Sequence, residues 1–250
     1  MRQSLTVAAL LGGVLWIGAP AGANDFYDRG MEKVAAKDWP AAIDLLEQAV
    51  AMEPDNLRAG TEYRQAVIAA GEYDRCLEFF EKLIAEHPGS ASLELNYGYA
   101  HVDKIPVEGA ITGVILANTA LTHFTAALEI EETWLGRYTR GNSYLYWPAI
   151  FGRTQLGIDD LERAIEIAAS QEKKPYHGRA WAALGDGYWR LDDPEKAAEV
   201  WRQGLRLYPE NREIQERLAH QGEELDAYLE ALFETTRRVP THLREIWEAE

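Results

Sequence analysis

Six histidines, a single cysteine and a few pairs of adjacent carboxylates are the side chains with the means to do chemistry in this chain. A metal site on one helix needs His at i and i+4, or a Cys-x-x-Cys step, so that the ligands converge from one face. His87, His101, His123, His177, His220 and His242 stand in no such spacing, and there is no Cys-x-x-Cys. His101 and His123 read as packed or capping histidines. Nucleophilic catalysis needs a hydroxyl or thiol beside a base that a third group orients. No Gly-x-Ser-x-Gly and no Gly-x-x-x-x-Gly-Lys-Ser/Thr is present. Cys76 falls at a small-residue position of a helix, where a thiol is a core side chain. Asp159-Asp160, Asp192-Asp193 and Glu131-Glu132 lie at helix starts or ends. At starts, carboxylates cap free N–H groups and suit the helix dipole. The chain is therefore expected to be no enzyme, with no catalytic residue, no metal ligand and no cofactor. An enzyme assembled from groups on distant elements is the remaining chemical reading, and no nucleophile–base pair supports it.

The elements that would position a binding site are easier to find. Residues 178–211, GRAWAALGDGYWRLDDPEKAAEVWRQGLRLYPEN, predict two helices and a turn. Trp181, Leu184, Gly185 and Tyr188 share one face at helical spacing, Asp192-Asp193-Pro194 breaks the run, and Ala197, Trp201 and Leu205 resume it before Pro209. Gly185 and Ala197 let the two backbones approach while the rings fill the remaining space.

The same spacing recurs. Residues 23–56 hold Phe26, Gly30, Trp39, Ala42, Leu46, Ala49 and Pro54; residues 57–90 hold Tyr63, Gly71, Tyr73, Cys76, Phe80, Leu83 and Pro88. Arg64 stands where Gly or Ala is usual, so that helix is expected to pack less closely. The period then breaks. Residues 91–104 form a first helix through Leu93, Tyr97, Gly98 and His101, but its partner, with Ala120, Phe124 and Ala127, arrives about ten residues late. The extra stretch, Lys104–Leu116, predicts a lengthened second helix entered through a Pro-containing turn. A fourth unit follows from Trp134, with Gly141 and Tyr144, then Leu161 and Ala164, and its loop from Tyr146 to Gly157 is also long.

This 34-residue pattern resembles the tetratricopeptide repeat (TPR). The resemblance implies an all-α fold: a right-handed superhelical solenoid of about five helix-turn-helix units, with two irregular central units and C-terminal capping helices. Residues 24–222 form the solenoid with a capping helix at Arg212–Gly222. Residues 223–250 supply further amphipathic helices, one from Glu223 to Arg238 and a short one after Pro240. These last segments either fold back on the array or offer an apolar face to a partner. Folding back is preferred, because an exposed patch of that size is unusual.

Residues 1–23 are a separate segment. Arg2 is followed by the apolar run Leu5–Gly18 and by Ala21-Gly22-Ala23, the pattern of a cleaved signal peptide. An uncleaved anchor is the alternative. The expected product is exported and soluble, and a Gram-negative periplasm fits. The lone Cys76 excludes an intramolecular disulfide, so packing must hold the fold. A net charge of −16 with no basic stripe argues against a nucleic-acid partner.

Resemblance to the family also implies which side chains line the concave groove. They are Tyr27 and Met31; Arg58, Thr61 and Gln65; Leu95, Tyr99 and Asp103; Tyr138, Asn142, Leu145 and Tyr146; and Arg179, Asp186, Trp189 and Arg190. Tyr99, Tyr138, Asn142, Tyr146, Arg179, Trp189 and Arg190 are the chosen ligand-binding candidates, with Asn142 suited to bond a ligand backbone. The rings alternatively pack between neighbouring repeats. The basic clamp that some members use for C-terminal carboxylates is not supported, since Tyr27, Met31 and Asp103 stand at clamp positions.

The expected function is an exported, non-enzymatic interaction scaffold that binds a peptide or an envelope protein in its groove. The alternative is a periplasmic carrier of an apolar small molecule or lipid, in a pocket near the central insertions. Self-association through the terminal helices is compatible with either.

Overall fold

The structure, a computed structural model, describes residues 22–234 and 238–248. Residues 1–21 of the expected leader lie outside the described residues. Ten helices form five consecutive pairs: α1 (Ala23–Ala35) with α2 (Trp39–Met52), α3 (Leu57–Ala70) with α4 (Tyr73–Glu86), α5 (Ala91–Lys104) with α6 (Ala110–Ile130), α7 (Trp134–Leu145) with α8 (Thr154–Ala169), and α9 (Gly178–Arg190) with α10 (Pro194–Leu207). Three more follow: α11 (Arg212–Ala219), α12 (Glu223–Leu232) and α13 (Arg244–Trp247). No strand is present among the described residues.

Helix starts are set by polar caps placed just after the prolines. Asn56 Oδ1 accepts from the Ala59 N–H at 3.0 Å, Ser90 Oγ from Leu93 at 3.2 Å and Asn211 Oδ1 from Ile214 at 2.9 Å. Pro54, Pro88 and Pro209 each stand two residues earlier, past the last helical turn of α2, α4 and α10. Pro breaks one helix and the cap satisfies the free donors of the next.

Inside a pair, ring meets glycine. A Cβ at Gly98 would lie 2.4 Å from the Phe124 ring, and one at Gly185 would lie 2.1 Å from Trp201 Nε1. The Trp201 indole also donates to the Ala182 carbonyl at 3.0 Å. Phe124 and Trp201 are fully buried, each contributing roughly 2–3 kcal/mol of apolar burial. The core forms two clusters. Ile43, Leu46, Tyr63, Phe80 and Leu93 belong to one, and Leu95, Phe124, Leu145, Leu161 and Trp201 to the other. α5 supplies both from two faces, Leu93 and Ala100 to the first and Leu95 and Tyr99 to the second.

The central irregularities take the predicted form at Lys104–Leu116. Ile105–Val107 make a single 3-10 turn containing Pro106, and α6 runs for 21 residues against the 14 of α5. α6 is long and apolar enough, by length and composition, to cross a membrane. Its second half packs here through Ala120, Leu121, Phe124 and Ala127, while Ile111 near its start is 83% exposed. The loop expected from Tyr146 to Gly157 ends at Arg153, where α8 begins, and contains Pro148 and a 3-10 turn at Ala149–Phe151.

Four sequence-based expectations are corrected. The capping helix stops at Ala219 rather than Gly222, because the backbone is already extended at His220, and Gly222 with a φ of +54° then turns the chain into α12. The next helix ends at Leu232, and the short one starts at Arg244 rather than just after Pro240. Residues 238–243 are non-helical because they are drawn out by hydrogen bonds to α3, α4 and α5. Finally, Arg64 does not loosen its helix: it is fully buried and bonded on all sides.

Candidate functional site

The first helices of the pairs pack on one another, α1 on α3, α3 on α5 and α7 on α9, and so build one continuous inner layer. Tyr99 on α5 and Thr139 on α7 join it across the middle, hydroxyl to hydroxyl at 2.6 Å. Burial pushes the Tyr99 hydroxyl up to about 12, so it is a neutral hydrogen-bonding group.

The floor of this layer is a polar cluster on α3 and α5. Arg64 donates through Nε to Asn96 Oδ1 at 3.0 Å and through Nη1 to Asp103 Oδ2 at 2.6 Å. Asn96 is itself fixed by the Leu57 and Ser92 carbonyls and accepts from Thr61. The remaining Arg64 nitrogen, Nη2, donates to the main-chain oxygen of Thr241 at 2.8 Å. Thr241 Oγ1 donates to Asp103 Oδ1 and lies 3.4 Å from Gln65 Nε2. The chain's own residues 238–248 therefore lie on the inner layer. Arg238 donates to the Asp103 carbonyl at 3.1 Å and to the Tyr73 hydroxyl at 2.8 Å. Leu243 is buried and joins the cluster of Leu95, Tyr99 and Tyr138. Arg244 donates to both Glu62 oxygens, at 3.3 and 3.0 Å. Arg179 pairs with Glu245, and the Arg58 guanidinium lies 5.8 Å from the Trp247 ring. Burial pushes the Asp103 carboxyl upward, while Arg64, Thr241 and Arg238 hold it back toward the charged form. Two of those three groups come from the C-terminal segment.

Six of the seven candidates divide between two covers. Tyr99, Tyr138 and Arg179 form the middle: Tyr138 stacks on Trp134 at 5.0 Å, and Arg179 sits 5.3 Å from the Tyr138 ring. Tyr146, Trp189 and Arg190 lie under the α12 end. Tyr146 and Arg190 meet the Phe233 ring at 5.1 and 4.7 Å, and Trp189 Nε1 donates to Asp226 at 2.8 Å. Asn142 is half-buried on α7, and its side chain makes no hydrogen bond among the described residues. Of the other groove positions, Thr61 and Leu145 are fully buried core. Asp186 is taken by the bidentate Arg217 of α11, at 2.5 and 2.6 Å.

Glu62, Arg64, Arg238, Thr241 and Arg244 are absent from the sequence-derived candidates. The available signal was Arg64, a charged residue in line with Gly30 and Gly98 at the 34-residue spacing. A long charged side chain survives at a small-residue position only if partners are built around it.

Elsewhere the chemistry is structural. His101 and His123 stack at 5.7 Å beside Tyr97, and His123 Nδ1 lies 2.6 Å from Glu94. The Cys76 thiol is buried, and burial pushes it up. No group of three or more His, Cys, Asp or Glu that could hold a metal ion occurs among the described residues. Beside the central insertions lies an open trough of about 470 Å³, lined by polar and apolar residues including Asn118, Leu121, Glu129, Arg153 and Leu156. An enclosed apolar pocket, as a lipid carrier needs, is not what these residues make.

Two family models, each described as tetratricopeptide repeat, match residues 33–101 and 178–220. The stretch between them contains the long α6 and the fourth unit, where the period breaks. Among solved structures, a thermophilic TPR protein of Thermus thermophilus, TTC0263, is 20% identical with a TM-score of 0.56, over 79% of this chain and 97% of that one. A MamA protein is 16% identical with a TM-score of 0.51, over 80% and 96%. Yeast Tom70 is 15% identical with a TM-score of 0.58, over 84% of this chain and 39% of that one. At these identities the likeness is one of fold.

Proposed function

From the premise that this chain is a tetratricopeptide-repeat protein, and so a protein–protein interaction scaffold, we propose that it is an exported, non-enzymatic binder of extended peptide segments. The observation that carries this reading is the treatment of Thr241. Its backbone carbonyl is bonded by Arg64 and its side chain by Asp103. A surface that bonds both the main chain and the side chain of a non-helical segment has the parts of a peptide site. The unbonded Asn142 amide, further along the same inner layer, is the next donor for a longer ligand.

Export rests on the leader pattern of residues 1–23, and the high negative charge suits a soluble envelope protein. The partner is then a segment of another envelope protein. The experiment is photo-crosslinking from Asn142 and Tyr146 in intact cells of the native host, with fractionation of the same cells. The reading expects the product in the soluble envelope fraction, joined to one partner protein through one extended segment. A chain retained in the cytosol sinks the export reading. A chain joined to no protein from either position sinks the binding one.

A further inference from the structure

We propose that residues 238–248 are a built-in competitor for this groove, and that the partner is an extended segment of the same chemistry, reading hydroxyl–x–aliphatic–basic in chain order. This inference rests on the peptide-groove reading above.

The order follows from what each side chain meets. The hydroxyl of Thr241 donates to the Asp103 carboxylate. His242 points partly to solvent, and no groove residue bonds its side chain among the described residues. Leu243 is 5% exposed, in the apolar cluster with Tyr99 and Tyr138. Arg244 meets both oxygens of Glu62. Arg64 reads only the Thr241 carbonyl, which any residue would offer, so it supplies affinity without selecting sequence.

Two features make the segment a displaceable occupant. Leu243 has φ +52°, in the left-handed region that non-glycine residues adopt only with strain. The floor also keeps bonds of its own when the tail leaves, since Arg64 bonds both Asn96 and Asp103 directly. Tethering replaces the missing affinity, because a short linker presents the segment at an effective concentration on the order of millimolar. A free ligand must outbid that occupant, and only one with the full set of contacts does so.

The test is fluorescence anisotropy with a labelled peptide of residues 238–248, added to the full-length wild-type chain and to Arg244→Glu. The Arg244 side chain is 43% exposed, so this change opens the tail through repulsion from Glu62 without touching the core. Arg244→Glu is expected to bind the peptide about tenfold or more tightly than wild type. Glu62→Arg extends the test: it repels its own Arg244, and it should accept a peptide with Glu in place of Arg244 while rejecting the natural one. Circular dichroism establishes that each variant is folded. Equal binding by wild type and Arg244→Glu would overturn the competitor while leaving the groove reading intact. Binding of the peptide by none of the folded variants would overturn the groove reading itself. Indifference of Glu62→Arg to the peptide's charge would overturn the stated ligand order.

Discussion

Arg64 Nη1 donates to Asp103 Oδ2 across 2.6 Å, and neither side chain reaches solvent to any useful extent. Taking both charges out of water is expensive, and the surrounding groups offset that cost by completing the pair's bonding. Asn96 takes the Nε donor, and Thr241 serves both partners at once. The ion pair therefore ties the second repeat to the third and forms the floor of the inner layer.

Breaking the pair from one side leaves an uncompensated charge. Asp103→Ala is expected to lose about 3–5 kcal/mol of stability in urea unfolding. Arg64→Met combined with Asp103→Leu should lose clearly less than Asp103→Ala alone, because neither charge is then stranded. A single substitution that costs less than about 1 kcal/mol contradicts the assigned burial.

The ring-against-glycine contacts can be tested separately. A Cβ at Gly185 has no room beside the Trp201 indole, which is held by the Ala182 carbonyl. Gly185→Ala is expected to cost about 1–3 kcal/mol, the usual range for overpacking. Gly89→Ala is the control, since nothing lies within 4 Å of its Cβ position. It should shift the thermal midpoint little, and equal losses at both sites would refute the packing account.

Acid should weaken the fold through His101. The ring is 7% exposed, and neither nitrogen has a hydrogen-bond partner. Burial, with help from His123 and Lys104, lowers its pKa to about 4. In the unfolded chain a histidine titrates near about 6.5. The folded state thus favours neutral His101, and the stability this confers is present above about pH 6.5 and is lost as the pH falls toward 4. The loss is on the order of 3 kcal/mol. His177 is lowered as well, by burial and then Lys174, so it adds to the same trend. His101→Phe should remove the larger share, giving a shallower slope of urea stability over this range. An unchanged slope would reject the role of His101.

Cys76 should be inert toward thiol reagents. It is buried in the first core cluster, and burial disfavours its thiolate. In native protein at pH 8, its labelling by an aromatic disulfide should occur only at the rate of unfolding and accelerate with urea. Rapid stoichiometric labelling without denaturant would contradict this placement.

The solenoid was legible because its signal is local and repeated. Gly30, Gly98 and Gly185 each sit where a ring or branched side chain of the following helix must approach, and the prolines mark the ends of α2, α4 and α10. The long α6 and its Pro106 entry were legible for the same reason. Of the candidate site only position was legible: Tyr99, Tyr138 and Arg179 stand on the first helices of their pairs. What covers them was hidden, because Arg64 and Thr241 are 177 residues apart and no period connects them. The end of α12 was misread for a related reason. Its apolar face continues to Phe233, but Arg238 and Thr241 are held by distant groups on α3 and α5 rather than by helical spacing.

The central claim is that the concave face recognises an extended segment, and that its occupant in the free chain is residues 238–248. The most direct measurement places a photo-reactive side chain at position 65, where Gln65 Nε2 lies 3.4 Å from Thr241 Oγ1, and maps the intramolecular crosslink by mass spectrometry. The account predicts crosslinks concentrated between Val239 and Leu243 of the same chain, which fade when the labelled 238–248 peptide is added in excess to Arg244→Glu. Crosslinks to the outer helices α4 or α6, or none to the C-terminal segment, would contradict it.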